Sequence, residues 1–199
     1  MGIYLILHNI RSLHNVGSIF RTADAAGVKK IYLTGYTPSP YDFFGPPAGG
    51  LRKEFAKTAL GAEKFVMWEQ RKNISALIKE LKRTSPPRDA HLSSWDEVFI
   101  ISLEQSQRAV PYNKLAAIYR SKFKKHNRNS FPRYTAMALI VGNEVRGISP
   151  AILKKSDAII EIPMRGRKES LNVAVAAGIA LYSLREQFGG THEERVGVL

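Results

Sequence analysis

Apolar residues along this chain fall into short unbroken runs separated by segments of helical spacing. The runs cover residues 3–7, 29–33 (KKIYL), 64–68, 97–103 (with VFIIS at its centre), 136–141 (AMALIV) and 158–162. Compact apolar runs bounded by turn residues predict strands buried on both faces. Between them, Ile74, Leu77, Ile78 and Leu81 have the spacing of one face of an amphipathic helix. Residues 16–26 read as a helix capped by Asn15 and ended by Gly27. Residues 55–62 and 150–154 predict short helices, 112–123 a longer one, and 171–187 the last. Strand and helix alternate throughout, so the expected fold is α/β, a parallel sheet flanked by helices.

The punctuation is as informative. Residues 35–50 (GYTPSPYDFFGPPAGG) are rich in proline, glycine and aromatics and read as a long loop, a feature that tends to be functional. Ser85, Pro86 and Pro87 break the helix before them. The chain has 199 residues and is 44% hydrophobic, which predicts one domain over 1–190 with a weakly ordered tail at 191–199. There is no cysteine, which excludes thiolate metal sites, disulfides and cysteine catalysis and is compatible with the cytoplasm, the expected location. The start shows no basic, apolar and small-residue succession of a signal peptide, and no run is long enough to span a membrane. The five histidines (His8, His14, His91, His126, His192) are scattered, so no metal is expected.

Charge changes the picture. The net charge is +13, a balance that favours polyanions. A basic insertion at about 105–135 carries Arg108, Lys114, Arg120, Lys122, Lys124, Lys125, Arg128 and Arg133 and no acidic residue. Tyr112, Tyr119, Phe123, Phe131 and Tyr134 are interleaved with them. Cations for phosphates and aromatic faces for bases are the mixture that holds single-stranded RNA.

Three segments carry the candidate chemistry. The first runs Asn15-Val16-Gly17-Ser18-Ile19-Phe20-Arg21-Thr22-Ala23, with Asn15, Ser18 and Thr22 on one helix flank and Arg21 beside them. The second is Leu139-Ile140-Val141-Gly142-Asn143-Glu144-Val145-Arg146-Gly147-Ile148, a strand entering a glycine-bounded loop with one carboxylate. The third, IPMRGRKESLNV from Ile162 to Val173, joins strand, basic loop and helix start. A helix N-terminus beside loops at a strand's carboxyl end is a favoured ligand position in α/β folds. Taken singly, each reads as well as an ordinary capped helix or turn.

Together, in this order and spacing, they resemble the three motifs of the SpoU (TrmH-type) RNA 2′-O-ribose methyltransferases of the SPOUT class, over almost the whole chain. The resemblance implies a sheet whose C-terminal part threads a deep trefoil knot. It implies S-adenosylmethionine held by the loops at Leu103, Gly142 and Asn143, and Ile162 and Met164, with Leu171 on the adenine. It implies a homodimer whose site mixes residues of both chains, and a catalytic set of Arg21, Asn15, Glu144, Ser170 and Asn172. Arg11, Arg120, Lys122, Lys124, Lys125, Arg165, Arg167 and Lys168 would meet the RNA. A guanidinium stays protonated, with a pKa above ~12, so Arg21 is expected to hold phosphate and polarise the hydroxyl. The domain-poor build points to transfer RNA over ribosomal RNA as substrate. Two departures stand out: Val145 where the family usually has glycine, and the basic insertion. The competing reading is a non-catalytic RNA-binding or assembly protein on the same fold. A dinucleotide-dependent oxidoreductase fits poorly, because no GxGxxG follows the first strand.

Overall fold

The computed structural model describes residues 1–42, 50–82, 97–124 and 134–189. The Ser85-Pro86-Pro87 break, the middle of the proline-rich loop, Lys125 with Arg128 and Arg133, and the 191–199 tail lie outside the described residues. So do the side chains of Lys122 and Lys124.

The strands are β1 (Gly2–His8), β2 (Lys30–Thr34), β3 (Met67–Arg71), β4 (Glu97–Leu103), β5 (Val110–Pro111), β6 (Tyr134–Val141) and β7 (Ala158–Glu161). Among the described residues they form one seven-stranded sheet in the order β3-β2-β1-β6-β4-β7-β5. Every pairing is parallel, with Leu5 of β1 opposite Ile31 on one side and Leu139 on the other. The helices are α1 (Leu13–Ala25), α2 (Lys53–Ala59), α3 (Ile74–Leu81), α4 (Leu115–Lys124), α5 (Pro150–Leu153) and α6 (Val173–Phe188).

Strand parity sorts the core into two layers. Ile3, Leu5 and Leu7, with Ile31, Leu33, Leu139 and Ile101, pack against α1, α2, α4 and α6. Ile6, Tyr32, Ile100, Ala138 and Ile140 face the other way, onto Ile74, Leu77 and Ile78 of α3 and Ile152 of α5. Both faces are covered, which is why the strands read as continuous apolar runs. Each of the buried isoleucine and leucine side chains contributes roughly 1.5–3 kcal/mol.

The elements differ from the sequence reading where local signals compete. Helix α1 begins earlier than expected: Ser12, not Asn15, is its cap, with Ser12 Oγ accepting from the Asn15 amide at 3.3 Å. Helix α2 ends at Ala59, because Leu60 (φ 50°) and Gly61 (φ 91°) turn the chain into a 3₁₀ turn at Ala62–Lys64. That turn displaces β3 from the expected 64–68 to Met67–Arg71 at the sheet edge. The 112–123 segment is a 3₁₀ turn followed by α4, and the two-residue β5 before it carries no apolar pattern.

Because the strands are parallel, the segments after β1, β4, β6 and β7 leave the sheet at one end. These strands are neighbours or nearly so, and the connections diverge there: after β1 the chain runs towards β2 and β3, after β6 towards β7. Ligand sites of open α/β sheets form at such a divergence.

Candidate active site

With Ser12 capping α1, the Asn15 side chain is available elsewhere. Its Nδ2 donates to Glu144 Oε1 at 3.1 Å, and its Oδ1 accepts from Asn172 Nδ2 at 3.1 Å. Glu144 also accepts from the backbone N–H of Arg11 (3.0 Å to Oε2) and of Ser12 (3.2 Å to Oε1). The carboxylate thus satisfies orphan donors at the start of α1, where the helix dipole favours negative charge. Partial burial pushes the Glu144 carboxyl up. The N–H groups of Arg11, Glu144 itself and Ser12, with the Asn15 amide, outweigh that and hold it below the usual carboxylate range. Asn172 caps α6, its Oδ1 accepting from the Ala174 amide at 2.9 Å. One line of hydrogen bonds therefore runs from the start of α6 through α1 to the loop after β6, joining the three segments singled out in the sequence.

That loop is tightly built. Asn143 is buried; its Oδ1 accepts from the amides of Val145 (3.0 Å) and Arg146 (2.7 Å), and its Nδ2 donates to the Asn9 carbonyl (2.9 Å). The positive φ falls on Gly147 (+62°), not on Val145, which is not among the positive-φ residues. Valine therefore meets no left-handed backbone strain at this position, and the residue is 78% exposed.

Two residues with no motif to announce them bind the loops together. Glu104 accepts from the Ile148 amide (2.6 Å) and the Gln105 amide (3.0 Å), and its own N–H donates to the Ile160 carbonyl (2.9 Å). Gln105 Nε2 donates to the Glu169 carbonyl at 2.5 Å. A carboxylate and an amide directly after a buried strand were the only available signal.

These loops enclose a cavity of about 330 Å³, at the small end of the roughly 300–1,000 Å³ of small-molecule pockets. Leu103, Gly142, Asn143, Ile162, Met164 and Leu171 all line it, with Glu144 and Ser170. So do Glu104, Glu161 and Glu169. An apolar wall with carboxylates beside it suits a ligand that combines a flat ring with positive charge.

Asn15 and Asn172 do not line this cavity and connect to it through Glu144, and the remaining expected residues also lie outside it. Arg21 is exposed on α1, roughly 9 Å beyond Asn15 along the axis at 1.5 Å per residue, and does not line the cavity of its own chain. Arg165, Arg167 and Lys168 are exposed in the loop between β7 and α6, between the lining residues Met164 and Glu169. Arg11 is exposed at the mouth, and Arg120 is exposed on α4. His8 is a framework residue: Nδ1 is 2.9 Å from Thr34 Oγ1, Nε2 is 3.1 Å from Asn9 Nδ2, and burial lowers its pKa. Among the described residues no His, Asp or Glu cluster could hold a metal, and no helix is long and apolar enough to cross a membrane.

A model of the SpoU rRNA Methylase family matches residues 2–182. The 23S rRNA (guanosine(2553)-2'-O)-methyltransferase RlmP of Bacillus subtilis (strain 168) is 30% identical over 181 residues, 91% of this chain and 57% of its own length. The chain thus spans little more than half of that curated relative. Among solved structures, the TrmH/SpoU tRNA modifying enzyme of A. aeolicus superposes with a TM-score of 0.64 at 28% identity, over 93% of this chain and 74% of that one. The AdoMet-bound rRNA methyltransferase of Sinorhizobium meliloti gives 0.68 at 24% identity, over 94% and 57%, a likeness of fold. With its parallel sheet, its three linked segments and a family match over nearly its whole length, the chain belongs to the SpoU rRNA methylase family.

Proposed function

We propose that this chain transfers a methyl group from S-adenosylmethionine to a ribose 2′-hydroxyl of RNA, and that it does so as a homodimer. The observation that carries the reading is the hydrogen-bonded line Asn172–Asn15–Glu144 at the mouth of the cavity. A purely structural cap at either helix would not need to reach the other.

The cavity fits the donor by its chemistry. Leu171, 40% exposed on the wall, offers an apolar face to an adenine, beside Leu103 and Ile162. Glu104, Glu161 and Glu169 bring negative charge towards a cationic ligand. When bound, the cofactor supplies an electrophilic methyl on a positively charged sulfur. The protein's task is alignment. Asn15 is held from both sides, so it orients the ribose, with Ser170 and Asn172 at the rim. Glu144 already accepts from Arg11, Ser12 and Asn15 and so acts on the geometry rather than on the proton. Arg165, Arg167 and Lys168 bind phosphates.

Arg21 comes from the second protomer. It is exposed on α1, which packs beside α6, where Val175 (52% exposed) and Tyr182 (54% exposed) stand on one face two turns apart. Burial of that stripe against a second copy would bring the partner's guanidinium towards the cavity, to hold a phosphate and polarise the hydroxyl, whose proton would pass to water. We also take the C-terminal part to be knotted. Insertion of β7 between β4 and β5, both earlier in the chain, supports this reading.

The named relatives divide between ribosomal and transfer RNA, so the sequence-based preference for transfer RNA is tested with both pools. Incubation with methyl-labelled donor, followed by digestion to nucleosides, is expected to place label in a 2′-O-methylnucleoside. Label on a base would refute the ribose assignment. RNA binding without transfer into either pool would favour the non-catalytic binder.

A further inference from the structure

Tyr36 follows β2 at the sheet end where the cavity opens, and 57% of it is exposed. Exposure alone is ordinary for one aromatic. This ring is also fixed from two directions. Its hydroxyl accepts from Asn143 Nδ2 at 3.0 Å, and its backbone N–H donates to Asn9 Oδ1 at 3.2 Å. Both partners are themselves anchored: Asn143 is 7% exposed and donates to the Asn9 carbonyl, and Asn9 sits in the left-handed region at φ 59°. The ring is therefore held in place at the edge of a cavity-lining loop, with its face left to solvent.

Its surroundings have the matching chemistry. Arg11 and Arg146, on the two segments that Asn143 and Glu144 tie together, are exposed, and neither forms an ion pair among the described residues. Val145, whose amide also donates to Asn143, adds exposed apolar surface to the same loop. The other strongly exposed aromatics among the described residues are placed differently: Phe65 precedes β3 at the opposite sheet end, and Tyr182 lies late on α6. A fixed ring with exposed guanidinium-bearing residues on the adjoining segments suits a base and its neighbouring phosphates.

We propose that Tyr36 is the stacking platform for a base within one nucleotide of the target ribose, with Arg11 and Arg146 on the flanking phosphates. The proposal rests on the RNA reading above. The ring immobilises the base, and the fixed distance from ring to cavity selects which ribose reaches the methyl donor.

The test measures RNA affinity, methyl-transfer kinetics and S-adenosylhomocysteine affinity for the wild-type chain and for Tyr36→Ala, Tyr36→Phe and Arg146→Gln. Stacking of one base corresponds to a loss of roughly tenfold to a hundredfold in RNA affinity for Tyr36→Ala. Cofactor affinity and the salt slope of RNA binding should stay at the wild-type level. Tyr36→Phe keeps the ring and should recover most of the affinity. Arg146→Gln should lower the salt slope by about one. Unchanged RNA affinity in Tyr36→Ala overturns the proposal. So does a parallel loss of cofactor affinity, which would make Tyr36 a prop of the loop, or a change of oligomeric state, which would place it at a subunit contact. A wild-type protein that neither binds nor methylates RNA overturns the RNA reading itself, and this proposal with it.

Discussion

Glu144 joins a helix start to a loop with one carboxylate, and its ionisation is coupled to folding. Its carboxyl is held below the usual carboxylate range, so the fold favours the charged form. That stabilisation is complete above the unfolded carboxylate value of about 4.3 and is lost as pH falls through the lower folded value. Glu144→Gln should therefore be less stable than wild type by ~2 kcal/mol at neutral pH, the scale of hydrogen bonds to a charged group. Urea titrations from pH 7 downwards should show the gap closing in acid. A gap independent of pH would contradict the network. Glu104 makes a separate prediction. It holds the Ile148 amide and anchors β4 to β7 through its own N–H. Glu104→Ala should weaken S-adenosylhomocysteine binding about tenfold in a calorimetric titration, the loss of roughly one hydrogen bond to a charged group. Wild-type affinity would remove Glu104 from the site. At this scale, Asn15, Glu144 and Asn172 were legible because they sit in motifs. Asparagine beside an apolar helix is a strong cap signal and points to Asn15, whereas the cap is Ser12, three positions earlier. Glu104 was illegible, because its partner lies far along the chain and no periodicity connects the two.

The strands buried on both faces, β1, β4, β6 and β7, were readable as runs, because nothing polar needs to interrupt them. Edge elements were not. β3 has one neighbour and exposes Met67 and Gln70, so its apolar signal blurred into the turn before it. β5 is a valine and a proline whose strand geometry comes from β7. Contact between elements can be tested at Gly17, where α1 crosses α2. A Cβ at this position would stand 2.7 Å from the Phe55 carbonyl oxygen, a backbone atom that cannot rotate away. Gly17→Ala should destabilise the fold by about 1–3 kcal/mol through overpacking, despite alanine's better helix propensity. A mutant melting at or above the wild-type temperature would show that the two helices adjust freely.

At the scale of the whole molecule, the proposed dimer decides where Arg21 acts. Arg21 does not line its own chain's cavity; Glu144 and Ser170 do, and Asn15 and Asn172 reach it through the hydrogen-bonded line to Glu144. If the guanidinium is supplied across a dimer, Arg21→Ala and Asn172→Ala, each inactive alone, should recover methyl transfer when mixed and refolded together. One site of the mixed dimer is then intact. No recovery, with mixed dimers formed, would mean that both residues serve the same chain's site. The proposed knot and dimer leave no trace in periodicity, since both depend on how distant segments pass one another. They entered only through resemblance to a family.

The central claim is that the loops after β4, β6 and β7 grip a sulfonium donor beside Asn15. A crystal structure of the full chain with S-adenosylhomocysteine tests it most directly. The account predicts the adenine against Leu171 and the sulfur facing the Asn15–Asn172 pair. Ligand bound elsewhere, with the cavity between Leu103, Gly142 and Ile162 empty, would contradict it.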